Sequence, residues 1–323
     1  MSILPNTITF LRAMSTQSFI TRTVHKKLLS VEQSEGMGAR VRRSIGRPEL
    51  KSYDPFLMLD EFIMPHTDIG GFPDHPHRGF ETVTYILPSS KGSFQHEDFT
   101  GTAGTIGPGD LQWMTAGRGI VHSEMPLPGS GGAHGLQLWV NLRSKDKMCE
   151  PQYQELKSND VPIVSKDGVT ARVIAGSALG ATSKVYTRQP VHYIHFEMSP
   201  HSTLHQPIES SWNSFVYTIN GTAVYGDTKS TAHHTLALSH DSQDGKHTHG
   251  LTVTTGDESA EFVLISGQPT GESAVQHGPF VMNTREQIQQ TFVDYQYGKN
   301  GFEKAPGWHS KIGERLLGSH DDL

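Results

Sequence analysis

Two stretches decide how this chain is read: Phe72-Pro-Asp-His-Pro-His-Arg-Gly-Phe-Glu-Thr-Val-Thr-Tyr-Ile-Leu87 and, further on, Gly107-Pro-Gly-Asp-Leu-Gln-Trp-Met-Thr-Ala-Gly-Arg-Gly-Ile-Val-His-Ser-Glu-Met-Pro126. In an extended chain, side chains at i and i+2 leave the same face, so His75 with His77, and His122 with Glu124, form two facing pairs once the strands approach. Three imidazoles and one carboxylate suit a divalent first-row metal and leave up to two positions of an octahedron open. Structural zinc prefers a closed tetrahedron with thiolates, and the chain has one cysteine, Cys149. Iron(II) is therefore the first choice, although manganese, cobalt and nickel suit the same ligand types. A lone His-x-His is a weak signal, because strand histidines usually find backbone carbonyls; two i,i+2 pairs beside glycines that let the backbone bend are a stronger one. Glu81 is the rival carboxylate, in His75-x-His77-x-x-x-Glu81. On a straight strand it lies about 13 Å from His77, at roughly 3.3 Å per residue, unless Gly79 turns the chain. Glu124 needs no such bend. It is the expected fourth ligand and the expected acceptor of a substrate proton, with Glu81 supporting the ligands from behind.

His75-Pro-His-Arg-Gly-Phe-Glu-Thr-Val-Thr-Tyr85, His96-Glu-Asp-Phe99, the stretch from Pro108 to Pro126, Leu136-Gln-Leu-Trp-Val-Asn-Leu142 and Gly301-Phe-Glu-Lys-Ala-Pro-Gly-Trp-His-Ser-Lys-Ile-Gly313 resemble the pirin family of the cupin superfamily. The resemblance spans nearly everything after about residue 20. It implies an all-β fold of two tandem cupin-type barrels, a bicupin, with one iron in the first barrel held by His75, His77, His122 and Glu124. It also implies a quercetin 2,3-dioxygenase activity on a flavonol-like substrate with dioxygen. The other function it implies is a redox-sensitive transcriptional co-regulator in the nucleus, working through transcription factors of the nuclear factor kappa B type. Heterotrimeric G-protein subunits are a further implied partner class.

Outward from these stretches, 323 residues suit two domains of ordinary size. A formal charge of −6 with no basic stripe excludes direct nucleic-acid binding, which needs clustered Lys and Arg against the phosphates. Cys149 alone cannot form an internal disulfide; it fits a reducing compartment, and it reads as a small apolar filler. No run approaches the roughly 20 apolar residues of a membrane helix. Residues 1–31 hold no acidic residue and carry Arg12, Arg22, Lys26 and Lys27, the composition of an organelle transit segment. Because Phe19 to Ser30 already alternates like an opening strand, the preferred reading is a flexible leader over residues 1–18 on a protein of cytoplasm and nucleus.

Pro55-Phe-Leu-Met-Leu-Asp-Glu-Phe-Ile-Met-Pro65 is a continuous apolar run, expected as a buried strand lining a barrel. Frequent Gly, Pro and Ser turn signals between Val83 and Trp139 favour short strands over helices. The first, metal-binding barrel is expected over residues 19–150, a second without metal over 151–313, and a tail over 314–323. Phe72, Phe80, Trp113 and Met114 are candidate walls of a flat cavity, while His96 and His134 read as rim packing. Lys166-Asp-Gly168 predicts a hairpin. The second half is rich in histidine, but His201 and His205 are too far apart on a strand and His247-Thr-His249 sits in a polar turn, so no second site is expected. Arg285 to Tyr295 predicts an amphipathic helix packed on a barrel.

Overall fold

The computed structural model describes residues 19–64, 70–239 and 247–318; the expected leader, the first part of the expected polar turn over 241–250 and the last residues of the expected tail lie outside these. Two strands open the described chain, β1 (Phe19–Thr21) and β2 (Val24–Leu29). Neither joins the first barrel, as a boundary of 19–150 would have it. β1 runs parallel to the strand Thr248–Thr254 and β2 antiparallel to His234–Leu238, both in the second half. The link between them explains the choice. Arg22 is fully buried and donates to the carbonyls of Trp212 (2.8 Å), Glu209 (2.7 Å) and Ser210 (3.1 Å), so a guanidinium that composition counts as leader charge serves as the clasp of a distant turn.

The first barrel follows as β3 (Val31–Glu35), β4 (Ala39–Ile45), β5 (Phe56–Ile63), β6 (Phe72–His77), β7 (Phe80–Ile86), β8 (Phe94–Asp98), β9 (Ala103–Ile106), β10 (Leu111–Thr115), β11 (Ile120–Pro126), β12 (His134–Asn141) and β13 (Gln152–Leu156). Among the described residues one sheet has the order β13-β10-β7-β12-β5-β4-β3 and the facing sheet β6-β11-β8-β9. The larger sheet is covered on both sides, by the barrel interior and by the second barrel, which is why β5 and β7 are buried nearly end to end, β7 even at Glu81, Thr82 and Thr84. On β7 the pleat sorts the two environments. Phe80, Thr82 and Thr84 face the interior, whereas Val83 and Tyr85 enter an inter-barrel core with Tyr193, Phe215, Tyr217 and Ile265.

That interface also absorbs polar groups. Glu61 accepts from His134 Nε2 (2.8 Å), His233 Nδ1 (2.8 Å) and the Tyr217 hydroxyl (2.6 Å), and against the cost of burial these donors hold its carboxyl down to about 2. His134 therefore serves the interface and not a pocket rim. Tyr85 and His195 meet across the same seam at 2.9 Å. In the second half, Ile163–Lys166 and Val169–Ala175 form the expected hairpin, with Asp167 and Gly168 at φ of 50° and 78° in its turn. His249 lies in the strand Thr248–Thr254 and not in a turn.

After the second barrel the chain returns to the first. The hairpin Val275–His277 and Phe280–Met282 leads into α1 (Arg285–Tyr297) and then α2 (Lys311–Gly318), so the expected tail begins inside a helix. Thr284 and Gln287 close a capping box at the start of α1, and Gly298, in the left-handed region at φ 59°, ends it. The buried face of α1 carries Ile288, Thr291 and Asp294, while Phe292, Val293, Tyr295 and Tyr297 are exposed, which is not the expected apolar-inward pattern. The reason lies in the metal stretch. Buried Arg78 reaches Asp294 Oδ2 (2.8 Å), Thr291 Oγ1 (3.2 Å), the Asn300 carbonyl (2.7 Å) and the Arg118 carbonyl (2.6 Å), so the inner face of α1 must be polar where the guanidinium arrives. No helix among the described residues is long and apolar enough to cross a membrane.

Candidate metal centre

β6 and β11 run antiparallel, with His75 opposite His122 and His77 opposite Ile120. The register brings the two His-bearing segments face to face. His75 Nε2 and His122 Nε2 are 3.0 Å apart, and the three rings of His75, His77 and His122 have centroids 4.4 to 5.0 Å apart. One nitrogen from each lies within 4.8 Å of the others. Separations of that size let a single ion take all three at ordinary metal–nitrogen lengths of about 2.0–2.1 Å. Beyond His122 the extra residue of a bulge falls on β6, which runs from His75 to Phe72 against two steps of β11, while β11 keeps unbroken register with β8, so Glu124 leaves the same face as His122. Its carboxylate is not in the three-histidine group. It lines the same cavity, with Oε1 2.8 Å from Thr84 Oγ1 and Oε2 3.4 Å from Gln137 Nε2.

The electrostatics prepare neutral nitrogen ligands. Burial, and then the neighbouring imidazoles, hold His77 and His122 well below the ordinary histidine value; burial also lowers His75. His75 Nδ1 lies 2.8 Å from the Pro73 carbonyl, which has no proton to give, so Nδ1 carries the hydrogen and Nε2 presents its lone pair to the cluster. Glu124 is pushed up to about 7 by burial, against the hydrogen bonds of Thr84 and Gln137. Thr84 Oγ1 is also 2.7 Å from Gln137 Oε1. A hydroxyl has one hydrogen, so it cannot serve both oxygens at once, and a proton on Glu124 completes the triangle.

Thr84 and Gln137, not Glu81, stand behind the carboxylate. Glu81 leaves the opposite face of β7, accepts from Thr115 Oγ1 at 2.8 Å, and is likewise raised by burial to about 7. The pleat that turns Thr84 inward turns Glu81 away. His96, read from sequence as rim packing, is 2% exposed and sits in the barrel interior, its Nε2 2.6 Å from Glu155 Oε1. It stands opposite Glu124 in the β8–β11 ladder. Gly104 leaves it room: a Cβ there would fall 2.5 Å from His96 Nε2.

The cavity holds about 640 Å³ and is walled by Val41, Met58, Phe62, Phe72 and Trp139. Of the expected wall residues, Phe72 is there and Phe80 backs it, packed 5.1 Å from His77 and 4.4 Å from Trp139. Trp113 and Met114 belong to other apolar clusters. Trp139, Phe62 and Met58 went unnoticed, although the alternation of β5 and β12 carried the signal. Arg43 closes one side, held by both oxygens of Asp60 (2.8 and 2.7 Å) and by Glu35 (2.9 Å). From the C-terminal hairpin, Gln276, Gly278 and Pro279 complete the lining.

Comparison with known proteins places the chain in a family. The family model described as Pirin matches residues 38–140, and that of the pirin C-terminal cupin domain matches residues 193–301. Pirin of Homo sapiens is 55% identical over 91% of this chain and 99% of its own length; a pirin-like protein of Solanum lycopersicum is 55% identical over 90% and 97%. Among solved structures, a quercetin 2,3-dioxygenase from Acinetobacter baumannii superposes with a TM-score of 0.77 at 29% identity, over 88% of this chain and 99% of that one. Two cupin domains, arranged in this order and matched over nearly their whole length, make the chain a member of the pirin family.

Proposed function

We propose that the chain binds one iron(II) through His75, His77 and His122, with Glu124 as a fourth ligand, and acts as a quercetin 2,3-dioxygenase on a flavonol-like substrate. One observation carries the reading: three neutral imidazole nitrogens, from buried His77 and His122 and half-buried His75, converge at a cavity roomy enough for a flat aromatic molecule, with an ionisable carboxylate on its wall. The similarity to a solved enzyme of that name supports the substrate class. The donor set fits such an ion, since nitrogen and carboxylate oxygen are what divalent iron takes and the cluster needs no deprotonation of its histidines. When bound, the metal supplies Lewis acidity toward a substrate oxygen and one-electron chemistry toward dioxygen. The remaining work falls to side chains. Phe72 and Trp139 sandwich the ring system, and the apolar wall excludes water. Glu124, on the cavity wall with Thr84 and Gln137 beside it, is the group placed to accept the substrate hydroxyl proton. An oxygen electrode with quercetin and iron-loaded protein tests this; full iron occupancy without oxygen uptake would dismiss it.

A second reading, a redox-sensitive co-regulator of cytoplasm and nucleus, is favoured by the wiring of Arg78. The residue after ligand His77 runs straight to α1, whose outer face exposes Phe292 and Tyr297. A change of metal charge at the cup then has a rigid route to a surface a protein partner can read. Binding of candidate transcription-factor or G-protein partners to the ferrous and ferric forms is the comparison to make, and equal affinities would remove this reading.

A further inference from the structure

We propose that Asp98 is the carboxylate that orients His122, accepting its Nδ1–H so that Nε2 faces the metal position. The inference rests on the three-histidine site proposed above and assigns a role to a residue outside it. Asp98 ends β8 directly opposite His122 in the β8–β11 ladder, so both side chains leave the same face of the sheet, into the barrel interior. His122 has His75 on its other flank, and its Nε2 is turned that way. The far edge of the ring, with Nδ1, is therefore turned from His75 toward the β8 side. Nδ1 of His122 and Oδ2 of Asp98 are both buried and neither has a hydrogen-bond partner, so the two stand on facing residues without closing a bond to each other, and pairing them is what would leave neither unmatched. Asp98 itself is 1% exposed.

Its other oxygen is fully used. Oδ1 accepts from the Thr100 amide (2.7 Å), the Thr100 hydroxyl (2.6 Å) and the Thr102 amide (3.0 Å), so the carboxylate cannot swing and Oδ2 has one direction to point. The Tyr153 hydroxyl, also buried, is raised by burial and then by the Asp98 carboxylate, which makes it the rival donor to that carboxylate. A metal-bound imidazole nearly always hands its second N–H to a carboxylate, carbonyl or water, and Pro73 already does this for His75. Asp98 does it for His122.

Asp98→Asn is the informative change. An amide can keep accepting through one oxygen from Thr100 and Thr102, but it puts an NH2 group where Oδ2 was, which favours an Nδ1 lone pair and an Nε2–H that cannot ligate. In the full chain, zinc(II) and iron(II) affinities measured by chelator competition should fall about 10–100-fold, with Thr100→Val, which spares Oδ2, close to the unchanged protein. Equal affinity in Asp98→Asn, or a loss in Tyr153→Phe larger than in Asp98→Asn, overturns the assignment. Should Asp98→Asn fail to fold, nitrogen-resolved NMR of the unchanged zinc-loaded chain decides: a slowly exchanging, far-downfield His122 Nδ1–H supports it, and one in fast exchange with water refutes it. An unchanged chain that takes up neither metal defeats both this inference and the site on which it rests; unequal fates of the two leave the site standing and Asp98 without its role.

Discussion

Replacing Arg78 by Met should cost the protein about 3–5 kcal/mol, the range for breaking a buried ion pair from one side. Arg78 and Asp294 are both about 2% exposed, and four donor contacts leave the guanidinium for Asp294, Thr291 and the Arg118 and Asn300 carbonyls. Its cation also lies 4.6 Å over the Phe302 ring. Met restores most of the volume but none of the donors, so two carbonyls lose a partner and Asp294 keeps only Gln290 and Asn300 as neutral donors. Against a total stability of about 5–15 kcal/mol for a domain, that loss is large. The double change Arg78→Met with Asp294→Leu should recover much of it, because it removes the stranded charge as well as its partner. Urea unfolding followed by tryptophan fluorescence gives the three free energies, and metal content of the purified chains gives a second reading, since Arg78 adjoins His77. A single-variant cost below about 1 kcal/mol, or a double variant as unstable as the sum of its parts, would refute the idea that this pair is the bolt between the metal loop and the C-terminal helix.

Metal affinity should fall about tenfold for each pH unit below about 7 and level off above it, because one proton on Glu124 must leave while the three histidines, with lowered pKa values, offer no competing proton in that window. Glu124→Gln should bind more weakly and lose the slope; a Gln variant that keeps it would move the proton elsewhere. Glu81→Gln should leave metal content alone, since Glu81 faces away, and should stabilise the fold more at high pH than at low. Its folded pKa of about 7 lies above the ordinary 4.5, so ionisation penalises the fold increasingly as pH rises from 4.5 through 7. Between about pH 5.5 and 8.5 the difference in denaturation free energy should be about 2 kcal/mol, and no pH dependence would contradict the burial argument. Gly79→Ala should abolish metal retention: its φ is +88° and a Cβ would stand 2.0 Å from the Val281 carbonyl oxygen, so either the metal turn or the C-terminal hairpin must give way.

The difference between what the chain discloses in one dimension and what it withholds follows from distance along the backbone. His75 with His77 share a strand, and their common face follows from the pleat alone, which no tertiary context can undo. That His75 should then stand opposite His122 follows from little more than two strands and a turn. Glu124 shows where such local reasoning stops: it leaves the same face as His122, yet its carboxylate meets Thr84 and Gln137 and not the three clustered nitrogens, and no spacing rule says which neighbour a side chain on a shared face will reach. Glu81, expected behind the ligands, misses them because the pleat of β7 sets it on the face opposite Thr84, where it meets Thr115. The partners that hold the centre in place are farther still. Arg78 meets Asp294 at a separation of 216 residues, and Arg22 meets Trp212 at 190. Each end of the described chain crosses to the other barrel, the first strands into the second and the last helices onto the first. The barrels are therefore separate in sequence similarity but joined in mechanics: a cut near residue 150 would strip the first of the hairpin and helix that close its cup, and the second of two sheet strands. The candidate metal centre is thus a property of the whole described chain, with its clustered histidines supplied by one half and the rigidity that keeps them convergent supplied in part by the other.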